Sequence, residues 1–423
     1  MAGLLLITAL AAQAVTPDAA PAPAPAQATT KAPGARTPGE STYVDLEAGG
    51  GYSTNPNLSL GNDTGAAFGR ISAHVVHTRV SERTTTVLSG FAQDVFYTNS
   101  ISSAQSFDVN GRHDAAVSER LRLFADADAA YDRGGQLDTR ILGIPNIPLP
   151  PGAVLPPPLL PSGSDFLTVT GRSYRADGHV GGQYAVSEHG FLDLTTGIEH
   201  DVFKSGDLKT RYTNIPLSVG YQQQLNERAT VGARVAFGFT HYAETISNPS
   251  TTYRVITPEL TGQLKLSETV SLSGDVGASF SSFRSGGPTS NTTGLAGDIN
   301  LCSSGQHTQL CAHASIQQQA ATSVGPARVA SVGVDYSRQL TADDTIQFSL
   351  SGNRYSHPVI LVSGESFSTA TYLRAAADYS RKIGHRLFGG IDLAARKVTE
   401  TGPDPDTDFS ASVFIRYRFG DVQ

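Results

Sequence analysis

Short polar tripeptides punctuate this chain at nearly regular intervals, each standing between two long segments in which apolar and polar residues alternate. Ser81-Glu82-Arg83, Ser118-Glu119-Arg120, Ser187-Glu188-His189, Asn226-Glu227-Arg228 and Ser267-Glu268-Thr269 carry the pattern. It continues through the region of Gly305, Thr341-Ala342-Asp343-Asp344 and Lys382-Ile383-Gly384-His385. Apart from one widened interval the spacing is about 40 residues, the length of two strands, one tight turn and one longer loop. Such a chain folds as consecutive antiparallel hairpins, which leaves a soluble sandwich or a closed membrane barrel.

Period-two alternation puts successive side chains on opposite faces of a sheet. After Arg120, Leu121, Leu123, Ala125, Ala127, Ala129 and Tyr131 share one face, and Arg122, Asp126, Asp128 and Asp132 the other. After Arg228, Val231, Ala233, Val235, Phe237 and Phe239 oppose Thr230, Gly232, Arg234, Gly238 and Thr240. Val270, Leu272, Val276, Ala278 and Phe280 oppose Ser271, Ser273, Asp275 and Ser279, and Ile346, Phe348 and Leu350 oppose Gln347, Ser349, Ser351 and Asn353. One face is apolar and the other polar.

Three features favour the barrel. The strands predicted are about 10 to 15 residues long, beyond the five or six usual in sandwiches and enough for the 9 to 11 of a tilted membrane strand. Strands leaving the short turns end in Tyr97, Tyr131, Phe203, Tyr242, Phe283 and Tyr355, which predicts an aromatic girdle at one membrane interface. Connections alternate strictly between tight turns and longer Gly/Ser/Asn/Pro-rich loops, the asymmetry of periplasmic turns and extracellular loops. No apolar run approaches the ~18 residues of a spanning helix, so a membrane crossing here requires closed strands. The fold expected is all-β: a transmembrane up-and-down antiparallel β-barrel of about 18 strands, with 16 as the alternative count.

The first residues read as an export signal. Leu4 to Leu10 form an apolar stretch, and Ala12-Gln13-Ala14 offers the small residues of a cleavage site, which sets the signal at 1–14. Residues 15–41 are mostly Ala, Pro, Thr and Gln and are expected to stay disordered as a linker. The barrel is assigned to 42–419 and a short tail to 420–423. A net charge of −7 without basic clusters argues against a nucleic-acid partner.

The final strand places Phe409, Val413, Ile415, Tyr417 and Phe419 towards lipid and Ser410, Ser412, Arg416 and Arg418 towards the lumen. Tyr417 and Phe419 resemble the aromatic signal by which outer-membrane proteins are handed to the barrel assembly machinery. The opening strand Val44-Asp45-Leu46-Glu47-Ala48-Gly49-Gly50-Gly51-Tyr52, the Ser53-Thr54-Asn55-Pro56-Asn57 that follows, the hairpins with Ser-Glu-Arg-like turns and the closing Arg416-Tyr417-Arg418-Phe419 together resemble the type 2 family of β-barrel porins of proteobacteria. That resemblance covers about Thr42 to Phe419 and implies an outer-membrane barrel and a porin-like channel.

Closing 16 to 18 strands leaves an aqueous channel. Its candidate lining charges are Arg122, Asp126, Asp128, Asp193, Glu199, Asp201, Arg234, Asp275, Arg374, Asp378, Asp392, Arg396, Arg416 and Arg418, which either set a transverse field or pair across neighbouring strands. The proline-laden stretch between Tyr131 and Asp165 either folds into the barrel mouth or projects outward. Cys302 and Cys311 flank a polar reversal and are expected to form a disulfide, with His307 and His313 too poorly spaced for zinc. The other histidines, His179 among them, show no metal-like clustering, and neither a nucleophile elbow nor a phosphate loop occurs. No catalytic, metal or cofactor site is expected. The function expected is passive diffusion of small solutes. A structural, adhesive or polysaccharide-export barrel is the alternative, and an outer-membrane enzyme the third reading. A TonB-type receptor is not expected, because the segment before Tyr43 is short for a plug and such barrels carry about 22 strands. Expected partners are outer-membrane lipid, lipopolysaccharide and the assembly machinery; the oligomeric state stays open.

Overall fold

A computed structural model describes residues 39–56, 64–99, 103–133, 171–205, 208–243, 251–285, 289–321, 325–360, 366–400 and 406–420. The signal, the linker up to residue 38, the proline-laden loop and residues 421–423 lie outside the described residues.

The chain forms β1 (Gly39–Ser53), β2 (Ala66–Val80), β3 (Thr84–Tyr97), β4 (Ala104–Ala116), β5 (Leu121–Arg133) and β6 (Arg172–Ala185). It continues with β7 (Gly190–Ser205), β8 (Leu208–Asn226), β9 (Ala229–Tyr242), β10 (Thr251–Lys265), β11 (Val270–Ser285) and β12 (Ser290–Ser304). It ends with β13 (Thr308–Ala321), β14 (Gly325–Gln339), β15 (Asp344–Ile360), β16 (Ser366–Lys382), β17 (Leu387–Glu400) and β18 (Asp406–Gly420). Each strand pairs antiparallel with the next, and β18 pairs with β1 from Tyr43↔Gly420 to Ser53↔Ser410, which closes the barrel. The count is eighteen.

The recurrent polar tripeptides close one end of the barrel, and their first side chain explains their composition. The Ser118 hydroxyl accepts the N–H groups of Arg120 and Leu121 at 3.3 and 3.1 Å. Ser267 does the same for Thr269 and Val270, Thr341 for Asp343 and Asp344, and Ser81 for Arg83 and Thr84. A short polar side chain that bonds its own backbone two and three residues on is what a tight reversal needs. At the other end the expected strict alternation with longer loops fails. Only two residues separate β7 from β8, and three separate β13 from β14.

Cross-strand register assigns every side chain to a face. Leu46, Ile71, Leu88, Val109, Val276, Leu295, Val413 and Ile415 point outward and stay exposed, as lipid-facing residues do. The expected girdle is corrected here. Tyr97, Phe203, Tyr242, Phe283 and Tyr355 share rows with Phe68, Ser173, Tyr212, Tyr253 and Val329, which face inward, so of the six only Tyr131 faces outward. The outward girdle near the loop end is formed instead by Tyr52, Phe96, Phe107, Tyr174, Phe239, Phe280 and Phe409. A second ring near the turn end holds Tyr184, Tyr221, Tyr417 and Phe419. One residue of parity separates the two assignments, and a one-residue shift moves a side chain across the sheet.

Local lapses in pairing have visible causes. Pro216 and Pro258 lack an N–H, and the β7–β8 and β10–β11 ladders each skip a step beside them. Pairing of β12 with β13 stops at Gly297↔Ile316, although β12 runs up to Ser290 and β13 on to Ala321. Above Leu295 the outward residues of β12 are Thr293 and Asn291. That stretch is polar outside, so water rather than lipid meets its open edge. Strands of 13 to 19 residues exceed the hydrocarbon thickness and leave room for such an end. A closed eighteen-strand barrel with an apolar belt between two aromatic rings is an integral outer-membrane protein.

Candidate functional site

At a strand spacing of about 4.8 Å and a tilt of about 40°, eighteen strands enclose a circle of roughly 36 Å between backbones. Side chains cannot span that width, so inner charges find partners sideways along the wall. All fourteen candidate lining residues from Arg122 to Arg418 sit on the inner face.

From β17 through β18 and β1 to β2 the wall is a ladder of ion pairs. Arg418 grips Asp45 with Nε on Oδ1 and Nη2 on Oδ2, both at 2.7 Å, and stacks 4.4 Å above the Tyr43 ring. Arg416 donates to Glu47 at 3.0 Å, and Arg70 joins the other Glu47 oxygen at 2.8 Å to Asp392 at 2.6 Å. Next to them Asp408, 1% exposed, accepts from Arg396 Nη2 at 2.8 Å, Ser53 Oγ at 2.6 Å and the Asn55 N–H at 2.9 Å. Phe414 also points inward here, over Gly49 and Gly390, where any added Cβ meets its side chain. Small residues on either side are what admit a ring into this crowded row.

From β4 to β7 the balance changes. Asp108 and Asp114 on β4, Asp126, Asp128 and Asp132 on β5, Asp177 on β6, and Asp193, Glu199 and Asp201 on β7 all face inward. Against these nine carboxylates the same strands offer the inner arginines Arg112, Arg122 and Arg175. Arg175 reaches Asp128 at 3.2 Å and Asp177 at 3.6 Å, and Arg112 reaches Asp114 at 2.9 Å. Asp108, Asp132 and Asp201 are buried. Asp126, Asp177 and His179 come within 4.8 Å of one another, a cluster the sequence reading did not anticipate. Both His179 nitrogens meet carboxylates, Nδ1 Asp126 at 3.1 Å and Nε2 Glu199 at 3.5 Å. Further round, Arg234 bridges Glu259 and Asp275, each at 2.7 Å.

The ladder side holds a cavity of about 90 Å³ between β16–β18 and β1–β3, lined among others by Arg374, Arg396, Ser53, Ser410 and Tyr97. Near the loop end the inward aromatics form a crown in which the tilted rings of Tyr212 and Tyr242 lie 5.6 Å apart and those of Phe68 and Tyr97 6.0 Å apart. Asp45, Glu47, Arg70, Arg175 and Asp408, absent from the candidate lining set, belong to the wall. Alternation of Asp45 and Glu47 with Val44 and Leu46 marks two of them in the sequence.

Cys302 and Cys311 face each other across β12 and β13 and are disulfide-bonded, just inside the turn at Gly305. Tyr417 and Phe419 project outward at the turn end, ring centroids 4.6 Å apart. Beyond the upper girdle the outer face is basic. Arg133, Arg172, Lys204, Arg211, Arg254, Arg284 and Arg354 point outward there.

No protein-family model and no curated protein matches the chain. Solved structures similar to it include the siderophore receptor PirA from Acinetobacter baumannii, at 8% identity over 90% of this chain and 80% of that one, with a TM-score of 0.44. The FrpB iron transporter from Neisseria meningitidis aligns at 7% identity, 90% and 82% coverage and a TM-score of 0.43. BauA, the ferric preacinetobactin receptor from Acinetobacter baumannii, aligns at 11% identity, 90% and 81% coverage and 0.42. These values assign no substrate. They do correct two expectations: the type 2 porin family finds no match, and the similar barrels are receptors and iron transporters where diffusion porins were expected. The physical ground for the error is that strand alternation and polar turns are common to all such barrels, so they identify the architecture and not the family.

Proposed function

We propose that this outer-membrane barrel transports solutes selectively, using the charge of its inner wall. The observation that carries the reading is the nine-to-three excess of inner carboxylates over arginines on β4–β7. Carboxylates held in a low-dielectric wall concentrate cationic groups at its surface and repel anions. The reading is non-catalytic. Residues 1–14 act as the export signal and 15–38, up to the start of β1, as a spacer. Lipopolysaccharide is the partner of the basic outer rim, and the assembly machinery receives Tyr417 and Phe419.

Uptake into proteoliposomes tests it, using a cationic solute and an anionic one of equal size. Saturable uptake that favours the cation, reduced when Asp126, Asp128 and Asp201 are changed to Asn, is the expected result. Uptake that rises linearly with concentration and ignores charge would sink the proposal.

A further inference from the structure

Arg374 is the inner-wall arginine that the ladder leaves out. Its Nε, Nη1 and Nη2 are all buried without a hydrogen-bond partner, and the residue is 3% exposed. Register is the cause. Arg374 stands directly opposite Arg396 on β17 and Ser351 on β15, so neither neighbouring strand brings a carboxylate to it. Asp408, next along that row, is already taken by Arg396, Ser53 and the Asn55 backbone. Asp378 lies four residues along the same strand, roughly 13 Å away, and faces Asp392. Asp335 on β14 faces the lumen two strands off, near enough to feel the charge of Arg374 but not hydrogen-bonded to it.

A guanidinium does not shed its proton, so this one stays charged out of contact with water. Its planar fork matches the two oxygens of a carboxylate or phosphate. It also lines the 90 Å³ cavity, together with Ser410, the side chain of Arg396 and the carboxylates Asp45, Glu47, Asp392 and Asp408, each of which is already paired with an arginine. That volume admits water-sized groups and so has room for the head of an oxyanion.

We propose that the cavity is an oxyanion site: Arg374 forks onto the carboxylate or phosphate group of a solute drawn into the lumen, with the Ser410 hydroxyl as a further donor. The inference rests on the transport reading and deepens it. A solute held there carries an anionic group in addition to the positive charge that the β4–β7 wall favours.

The test uses the full chain refolded in detergent, with heat-modifiable gel mobility as proof of folding. Inorganic phosphate and acetate are titrated separately by calorimetry. We expect binding of at least one, weakened tenfold or more in Arg374→Gln and partly restored in Arg374→Lys, which keeps the charge and loses the fork. Binding of phosphate alone assigns a phosphate-bearing solute, and binding of acetate alone a carboxylate. A second measurement does not depend on affinity. In anion-free buffer Arg374→Met should raise the urea midpoint, because it removes an unpaired buried charge, and phosphate or acetate should raise the wild-type midpoint but not that of the variant. Failure of the folded wild type to bind either anion, unchanged binding by Arg374→Gln, or a lowered midpoint in Arg374→Met would each overturn the site. Anion binding that needs Arg374 beside non-saturable uptake would leave the site standing and remove the transport reading.

Discussion

The barrel closes where β18 meets β1, and Asp408 is a buried side chain at that seam. Asp408 joins three segments: Arg396 of β17 through Nη2 at 2.8 Å and Nε at 3.2 Å, Ser53 at the end of β1 at 2.6 Å, and the Asn55 N–H beyond it at 2.9 Å. Side-chain exposure is 1% for Asp408 and 7% for Arg396, so water does little to weaken the pair. Asp408→Ala leaves a buried guanidinium with only the Pro56 carbonyl as acceptor and no counter-charge, and two further buried donors without theirs. Breaking a buried pair from one side costs about 3–5 kcal/mol, and we expect the variant to lose about that much. Most of this is the penalty of the stranded charge and not the net worth of the pair. The double variant Asp408→Leu with Arg396→Met should therefore return to within about 1–2 kcal/mol of the wild type, since apolar replacement of both partners is often near neutral. Urea unfolding in phospholipid vesicles measures both, followed by far-ultraviolet circular dichroism because the chain has no Trp. A loss below about 1 kcal/mol for Asp408→Ala at unchanged m-value, or a double variant less stable than the single one, would refute the argument.

Three further outcomes follow from the same geometry. Val413→Arg places a charge on the outward belt and should cost about 2–4 kcal/mol, whereas Ser273→Arg on the inner face should cost under about 1 kcal/mol; equal costs would mean the faces are misassigned. Ser118→Ala removes the acceptor for two turn N–H groups and should lower stability by about 0.5–1.5 kcal/mol in the same urea assay, with Ser267→Ala alike. Changing Arg254, Arg284 and Arg354 to Gln should weaken partition into anionic, lipopolysaccharide-containing vesicles about 100-fold, at about 1 kcal/mol per cation, and leave partition into neutral vesicles unchanged. Equal loss in both kinds of vesicle would show that the rim does not read headgroup charge.

Much of the architecture was legible from local chemistry. Ser118 and Ser267 announce their turns because a hydroxyl bonding its own backbone is a short-range event that depends on three or four residues. Leu121 to Tyr131 announce a two-faced strand because alternation is geometric. Phe203 and Phe283 defeated the same reasoning. Their height along the strand was readable, but their face depends on where each strand begins its pairing, and a shift of one residue reverses it.

The sequence by itself determined the repeating hairpins, the even strand number, the two-faced wall and the opposition of Cys302 to Cys311, all of which follow from spacing within one hairpin or from the period of a strand. Tertiary structure alone decided which charges meet. Arg70 joins Glu47 to Asp392, and Asp408 reaches back to Ser53, because closure sets the last strands beside the first and staggers their rows. Arg374 is left unpaired by the same stagger, which faces it with Arg396. Register between strands far apart in the chain is set by the barrel as a whole, so the wall chemistry it creates is not contained in any one segment.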